Sequence, residues 1–151
     1  MRRLATLAAS ALLLVLGATD LHAQLNHREI ITELMKQIAG PPSERGFVVD
    51  QSVLTRGRMV GMLTKGVPVG VELDLVKGTY YISGVCDYDC SDMDLRLQSP
   101  DGGTTIAEDL DDDDSPILMF DIKESGAYLL LIMVTESKAP SYFGVQVFKK
   151  N

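Results

Sequence analysis

The chain has 151 residues, 14 Lys and Arg against 21 Asp and Glu, a formal charge of −7, two histidines and two cysteines. That length suits one domain with a short appendage. Eleven of the acids fall in residues 87–114 against one base, Arg96, which excludes nucleic acid and anionic membrane surfaces, whose phosphates require Lys and Arg, and favours cations or basic partners.

Residues 1–23 read as a signal peptide. Arg2 and Arg3 form a positive start, and residues 4–18 are an apolar run of secretory length that is short for a bilayer crossing. Leu21-His22-Ala23 offers a cleavage site before Gln24. Loss of Arg2, Arg3 and Asp20 with this leader takes the charge from −7 to −8. No later apolar run is long enough to span a membrane. The expectation is export to the periplasm or the extracellular space, with no membrane insertion after cleavage. Residues 24–56 read as an N-terminal helix and linker. The spacing predicts a helix over 26–39, with Asn26 as its cap and Glu29 three residues on. Ile30, Leu34 and Ile38 line one face, with Ile31 and Met35 beside them. Such a helix covers an edge of the domain or docks a partner. Gly40, Pro41 and Pro42 are expected to stop it. Residues 40–56 lack clear periodicity and have room for one short strand.

From Gly57 the pattern is β, and residues 57–151 read as the domain. Val67, Val69, Val71, Leu73 and Leu75 alternate with Pro68, Gly70, Glu72 and Asp74, as a half-buried strand does. Pro68 marks a strand start or an edge. Lys77-Gly78 turns the chain into a strand that ends at Cys86. Met93, Leu95 and Leu97 point one way, and Asp94, Arg96 and Gln98 the other. Ser99-Pro100-Asp101-Gly102 and Glu124-Ser125-Gly126 are turn signals. Residues 127–135 are apolar on both faces, which suits a central strand. With 59–64, 104–107, 118–122 and 143–147 added, the count is about eight strands with Gly and Pro turns, so an all-β sandwich or barrel.

Cys86 and Cys90 are the only cysteines, in a compartment that permits disulfides. Bridged Cα atoms sit roughly 4.4–6.8 Å apart, whereas four residues of extended strand span about 13 Å. A Cys86–Cys90 bond therefore requires Asp87, Tyr88 and Asp89 to turn back sharply. The alternatives are two free thiols or pairing between chains.

The order Gly78-Thr79-Tyr80-Tyr81-Ile82, Asp92-Met93-Asp94-Leu95, an acidic turn, then Gly126-Ala127-Tyr128-Leu129 resembles the bacterial pre-peptidase C-terminal domain over residues 57–149. The resemblance implies a jelly-roll-like β-sandwich of the kind that follows secreted peptidases. Some such domains, similar to collagenase collagen-binding modules, bind calcium and extracellular polymers. Two departures stand out. The domain is expected to stand alone, with no peptidase before it. Related versions carry a second cysteine pair near the last hairpin, where this chain has Ser137 to Ser141.

After cleavage the only histidine is His27. That argues against Ser-His-Asp and Cys-His nucleophilic sites and against the common zinc sites. Paired carboxylates can hydrolyse glycosides, but the domain is small and has no Trp to build a sugar platform. The acidic loops are the better clue. Two carboxylates about 4 Å apart repel by about 1 kcal/mol in water and about 4 kcal/mol near a protein surface. A hard cation relieves that, and oxygen ligands select calcium. Asp87, Asp89, Asp92 and Asp94 form one candidate metal cluster, and Asp109 and Asp111 to Asp114 another. The second reading of both runs is solvated turns that keep the protein soluble. The function expected is an exported, non-catalytic module that binds a protein or an extracellular polymer, with Ca2+ ordering its loops. The alternatives are a stand-alone chaperone- or inhibitor-like domain acting on a secreted peptidase, and a small carboxylate glycoside hydrolase.

Overall fold

A computed structural model describes the backbone of residues 18–151 and the side chains from His27 onward. The leader expected over 1–23 thus lies, for residues 1–17, outside the described residues. The protein is an all-β sandwich with an N-terminal helix. Helix α1 (Ala18–Glu44) is followed by β1 (Phe47–Val49), β2 (Arg58–Leu63), β3 (Val69–Leu75), β4 (Gly78–Cys86), β5 (Cys90–Gln98), β6 (Thr105–Asp109), β7 (Ile117–Ile122), β8 (Gly126–Ser137) and β9 (Ser141–Lys150). The alternation predicts about eight strands, and the ninth is β1, in the segment with room for one short strand. Among the described residues no helix is long and apolar enough to cross a membrane.

Two antiparallel sheets form the layers. One runs β1-β9-β4-β7, with β2 also on β9, and the other runs β3-β8-β5-β6. Burial follows the period of two in β5, β7 and β8. Tyr80 and Ile82 of β4, Phe120 of β7 and Val145 of β9 face Leu73 of β3, Leu95 of β5 and Ile132 of β8 across one continuous core. Strand β3 is a sheet edge that begins just after Pro68, and β8 sits between β3 and β5, as the proline and the doubly apolar run predict.

Two tyrosines close one end of the sandwich. Tyr80 donates its hydroxyl hydrogen to the Val76 carbonyl at 2.9 Å, and Tyr128 does the same to the Glu124 carbonyl at 2.7 Å. Each hydroxyl reaches back four residues across a corner where the chain changes sheets, β3 to β4 and β7 to β8. This is the tyrosine-corner device known from other sandwiches. The ring is buried while the hydroxyl satisfies a turn carbonyl. The Lys77 amide donates to Ser125 Oγ at 2.9 Å and joins the two corners. Both Gly-x-Tyr motifs of the sequence are therefore corner pieces.

Helix α1 lies on β9, β4 and β1, which explains why β4 is buried on both faces. Its buried stripe is centred on Ile31 and Met35, with Leu34 and Ile38 flanking, against Val85 and Tyr142. The expected bounds are corrected at both ends. The helix starts upstream at Ala18, so Asn26 is an interior position rather than the helix start. Gly40, Pro41 and Pro42 do not stop it. Proline lacks an amide hydrogen, but its fixed φ is helical, so near a helix end it removes bonds without forcing the chain out of its path. Ser43 Oγ donates to the Ala39 carbonyl at 2.8 Å. The chain leaves the helix at Gly46, whose φ of +81° suits a residue without Cβ. The Gly46 amide returns to the Ser43 carbonyl at 3.1 Å.

The helix comes close because β9 carries Gly144 beneath it. A Cβ there would lie 2.5 Å from Met35 Sδ and 2.8 Å from Ile31 Cγ2. Gly144→Ala is expected to cost about 1–3 kcal/mol through overpacking. Chemical denaturation measures this, with amide exchange rising first in α1. Unchanged stability and exchange would contradict the close approach.

Candidate functional site

Strand β4 ends at Cys86 in one sheet and β5 begins at Cys90 in the other, so three residues must cross between the layers. The two cysteines are bonded to each other, with Cα atoms 5.9 Å apart. Free thiols and pairing between chains are thereby excluded. The Cys90 amide donates to the Asp87 carbonyl at 3.0 Å, which completes the sharp turn that the spacing demands. Both cysteines are buried in the core.

Inside this turn Asp87 is 1% exposed. A buried carboxylate is costly unless donors surround it, and three do. Its Oδ2 accepts from His27 Nδ1 at 2.9 Å and from the Tyr142 amide at 3.0 Å. Its Oδ1 accepts from the Asp89 amide at 3.3 Å. The carboxylate thus joins α1, β9 and the loop itself. Because Nδ1 faces an acceptor, it carries the hydrogen, and in the neutral tautomer Nε2 is left to accept from the Tyr88 hydroxyl at 3.4 Å. The imidazole stacks on Tyr142, with ring centres 5.1 Å apart, and lies 5.4 Å from the Tyr88 ring. Tyr88 itself is 67% exposed. The corner therefore presents one aromatic side chain on a loop held from below at every other position.

The remaining acidic residues divide by role. Asp89 is half-buried, and its carbonyl accepts from the Lys138 amide at 2.9 Å. Asp92 sits where the β5–β8 register shifts on either side, and its Oδ1 is buried without a partner. Asp94 lies opposite Met133. Burial pushes its carboxyl above the ordinary range, Asp92, Asp109 and Asp112 push the same way, and Arg96 opposes them. So β5 and the second acidic run do come within electrostatic reach of one another. Asp109 is taken up locally: Oδ1 accepts from the Asp111 amide at 3.2 Å and Oδ2 from the Ile117 amide at 2.7 Å. The carbonyls of Asp113, Asp114 and Pro116 accept from the amides of Met93, Cys86 and Gly84 at 2.9, 3.1 and 2.9 Å. This stitches the run to β4 and β5 and leaves the Asp111 to Asp114 side chains exposed.

Among the described residues, no three His, Cys, Asp or Glu side chains come together as a metal-holding group. Of the six candidate ligands, Asp87 is filled by protein donors, Asp109 caps its own loop, and Asp89, Asp92, Asp94 and Asp111 do not converge on one point. His27, the one histidine left after cleavage, carries no mark in the sequence of its bond to Asp87. The usable signal is a histidine on an amphipathic helix in a chain with a carboxylate pinned between two cysteines, and no spacing rule links positions 60 residues apart.

Removing the imidazole leaves a buried carboxylate short of a donor, so His27→Ala is expected to lose about 1–3 kcal/mol in urea unfolding. The loss should shrink in an Asp87→Asn background, and equal losses in both would uncouple the pair. Asp94 gives a pH signature. Its folded pKa lies above its unfolded value, so ionisation weakens the fold at neutral pH, and the penalty lifts as pH falls through the folded value. Asp94→Asn is accordingly expected to melt higher than wild type at pH 7. The advantage should vanish below the ordinary aspartate range, and a difference that is the same at both pH values would contradict this.

No family model matches the chain, and no curated protein matches it. Among solved structures it is similar to the crystal structure of Aeromonas hydrophila PliG, a periplasmic lysozyme inhibitor of g-type lysozyme, with a TM-score of 0.43 and 15% identity over 60% of this chain and 83% of that one.

Proposed function

We propose that the protein is an exported, non-catalytic binding module, of the pre-peptidase C-terminal type, that recognises a basic protein through its cystine-pinned corner. The observation that carries this reading is Tyr88, 67% exposed on a loop fixed by the Cys86–Cys90 bond and by buried Asp87. Rigid aromatic side chains dominate protein recognition because they contribute contact area at little cost in conformational entropy. Pre-organisation of the loop lowers the ordering cost of binding further. The surrounding acids and the net charge of −8 left once Arg2, Arg3 and Asp20 are removed with the leader steer positively charged surfaces towards it. The intrachain disulfide agrees with an oxidising compartment. Asp87, the carboxylate most central to the corner, is engaged by His27 and two backbone amides, which supports a structural role for it rather than a chemical one.

A rigid turn that projects one tyrosine is also a shape that enters a cleft. Inhibitor-like action on a secreted enzyme is therefore the second reading, and it shares the same contact residue.

The test uses the mature protein and Tyr88→Ala as matched baits against an exported-protein fraction. A partner retained by wild type is expected to bind Tyr88→Ala with about 2 kcal/mol less free energy, the loss typical of a central anchor, while circular dichroism stays unchanged. Binding should also weaken with salt. Identical recovery on both baits would end the proposal. Assay of the recovered partner's activity with and without the module separates simple binding from inhibition.

A further inference from the structure

A second surface lies at the other end of α1. The helix covers β9, β4 and β1, and β7 lies at the sheet edge beside it. Its outward side chains Ile117 and Met119 are 48% and 64% exposed. Between them and the last turns of the helix is a groove of about 350 Å³, whose apolar walls are completed by Ile38 and Pro41. That volume falls within the range of about 300–1,000 Å³ usual for small-molecule sites.

Two polar groups in the groove lack the partners that folding normally supplies. Ser83, on the floor, is 1% exposed, and its hydroxyl has no hydrogen-bond partner. Buried hydroxyls are rarely left so, because the desolvation cost is unrecovered. Arg45, at the helix end, forms no salt bridge among the described residues, in a chain rich in carboxylates. Its charge reaches the groove floor: burial raises the Tyr81 phenol above its ordinary range, and Arg45 pulls against that rise. A guanidinium and a hydroxyl, both unengaged, thus share one short apolar channel.

We propose that this groove binds a small amphiphile, a linear aliphatic chain bearing a carboxylate. The tail lies over Ile117, Met119, Ile38 and Pro41. The carboxylate accepts from Arg45 and from the Ser83 hydroxyl. Guanidinium–carboxylate pairing is charge-assisted and geometrically matched, and the tail hides an exposed apolar sheet edge. The site is separate from the Tyr88 corner and does not depend on the reading given for it.

The probe is decanoate, below its micellar range, titrated into the full mature protein by calorimetry and followed by methyl shifts of Ile117, Met119 and Ile38. Saturable binding of one decanoate per chain is expected, with Arg45→Glu weakening it about tenfold or more and Ser83→Ala weakening it less. Decyltrimethylammonium, with the same tail and the opposite charge, is expected to bind wild type more weakly and Arg45→Glu more strongly. Absence of saturable binding, equal binding of both amphiphiles, or indifference to Arg45→Glu would overturn the proposal. Arg45 and Met119 are exposed, so Arg45→Glu and Met119→Asp are expected to fold. Loss of decanoate binding in Met119→Asp supports the assignment of the tail, and full retention contradicts it.

Discussion

The carboxylate of Asp87 is the contact on which the arrangement of this molecule turns. One oxygen accepts from His27 on α1 and from the backbone of β9, and the other from the loop's own Asp89 amide. A charge this deeply buried tolerates no loose fit, because each missing donor exposes its desolvation cost. It therefore sets where the helix lies along the sheet, how the cystine turn closes, and where Tyr88 is carried. The disulfide alone shortens the loop. The carboxylate gives it an orientation relative to the rest of the fold.

The two ends of the sandwich are built on different physics. At one, Tyr80 and Tyr128 bury their rings and satisfy turn carbonyls, and a serine links their corners. This end is closed by apolar area and neutral hydrogen bonds. At the other, the layers are joined by a covalent bond and a buried anion, and the acidic run that follows is fastened through its backbone while its side chains face water. Strand β4 connects the two. Its inner face packs in the core and its outer face lies under α1, with Gly144 beside it allowing the helix to descend.

Much of this was legible in the amino-acid order. Strict alternation around Leu73, Met93 and Phe120 gave the strands, because a period of two has one geometric meaning. The doubly apolar run near Leu130 marked a central strand for the same reason. The four-residue spacing of Cys86 and Cys90 implied a turned-back loop. What could not be read was any contact that depends on chain-distant geometry. His27 and Asp87 meet only after the helix has packed. The helix ends are not legible by residue type: Pro41 and Pro42 are breakers by type, although a proline's fixed φ suits a helix, and Asn26 is a capping residue by type, although the helix extends past it. The two acidic runs stand out as two candidate clusters by their density along the chain, and density carries no direction. In the fold Asp109 turns back on its own loop, Asp87 is filled by protein donors, and Asp92 sits at a break in the β5–β8 register. The Gly-x-Tyr motifs were visible but their role was not, since a tyrosine corner is defined by a carbonyl four residues upstream.

The turn between the cysteines leaves very little to chance variation. Its first position is committed to a buried charge and both flanking residues to a covalent link, while Asp89 contributes its amide and carbonyl and leaves its side chain unclaimed. Of the three enclosed side chains, Asp89 carries no structural bond and Tyr88 meets the fold through His27 while most of its surface faces outward. The turn thus works as a two-letter address on a mount fixed by covalent and ionic constraint, and a substitution that retargets the surface without moving the mount belongs there.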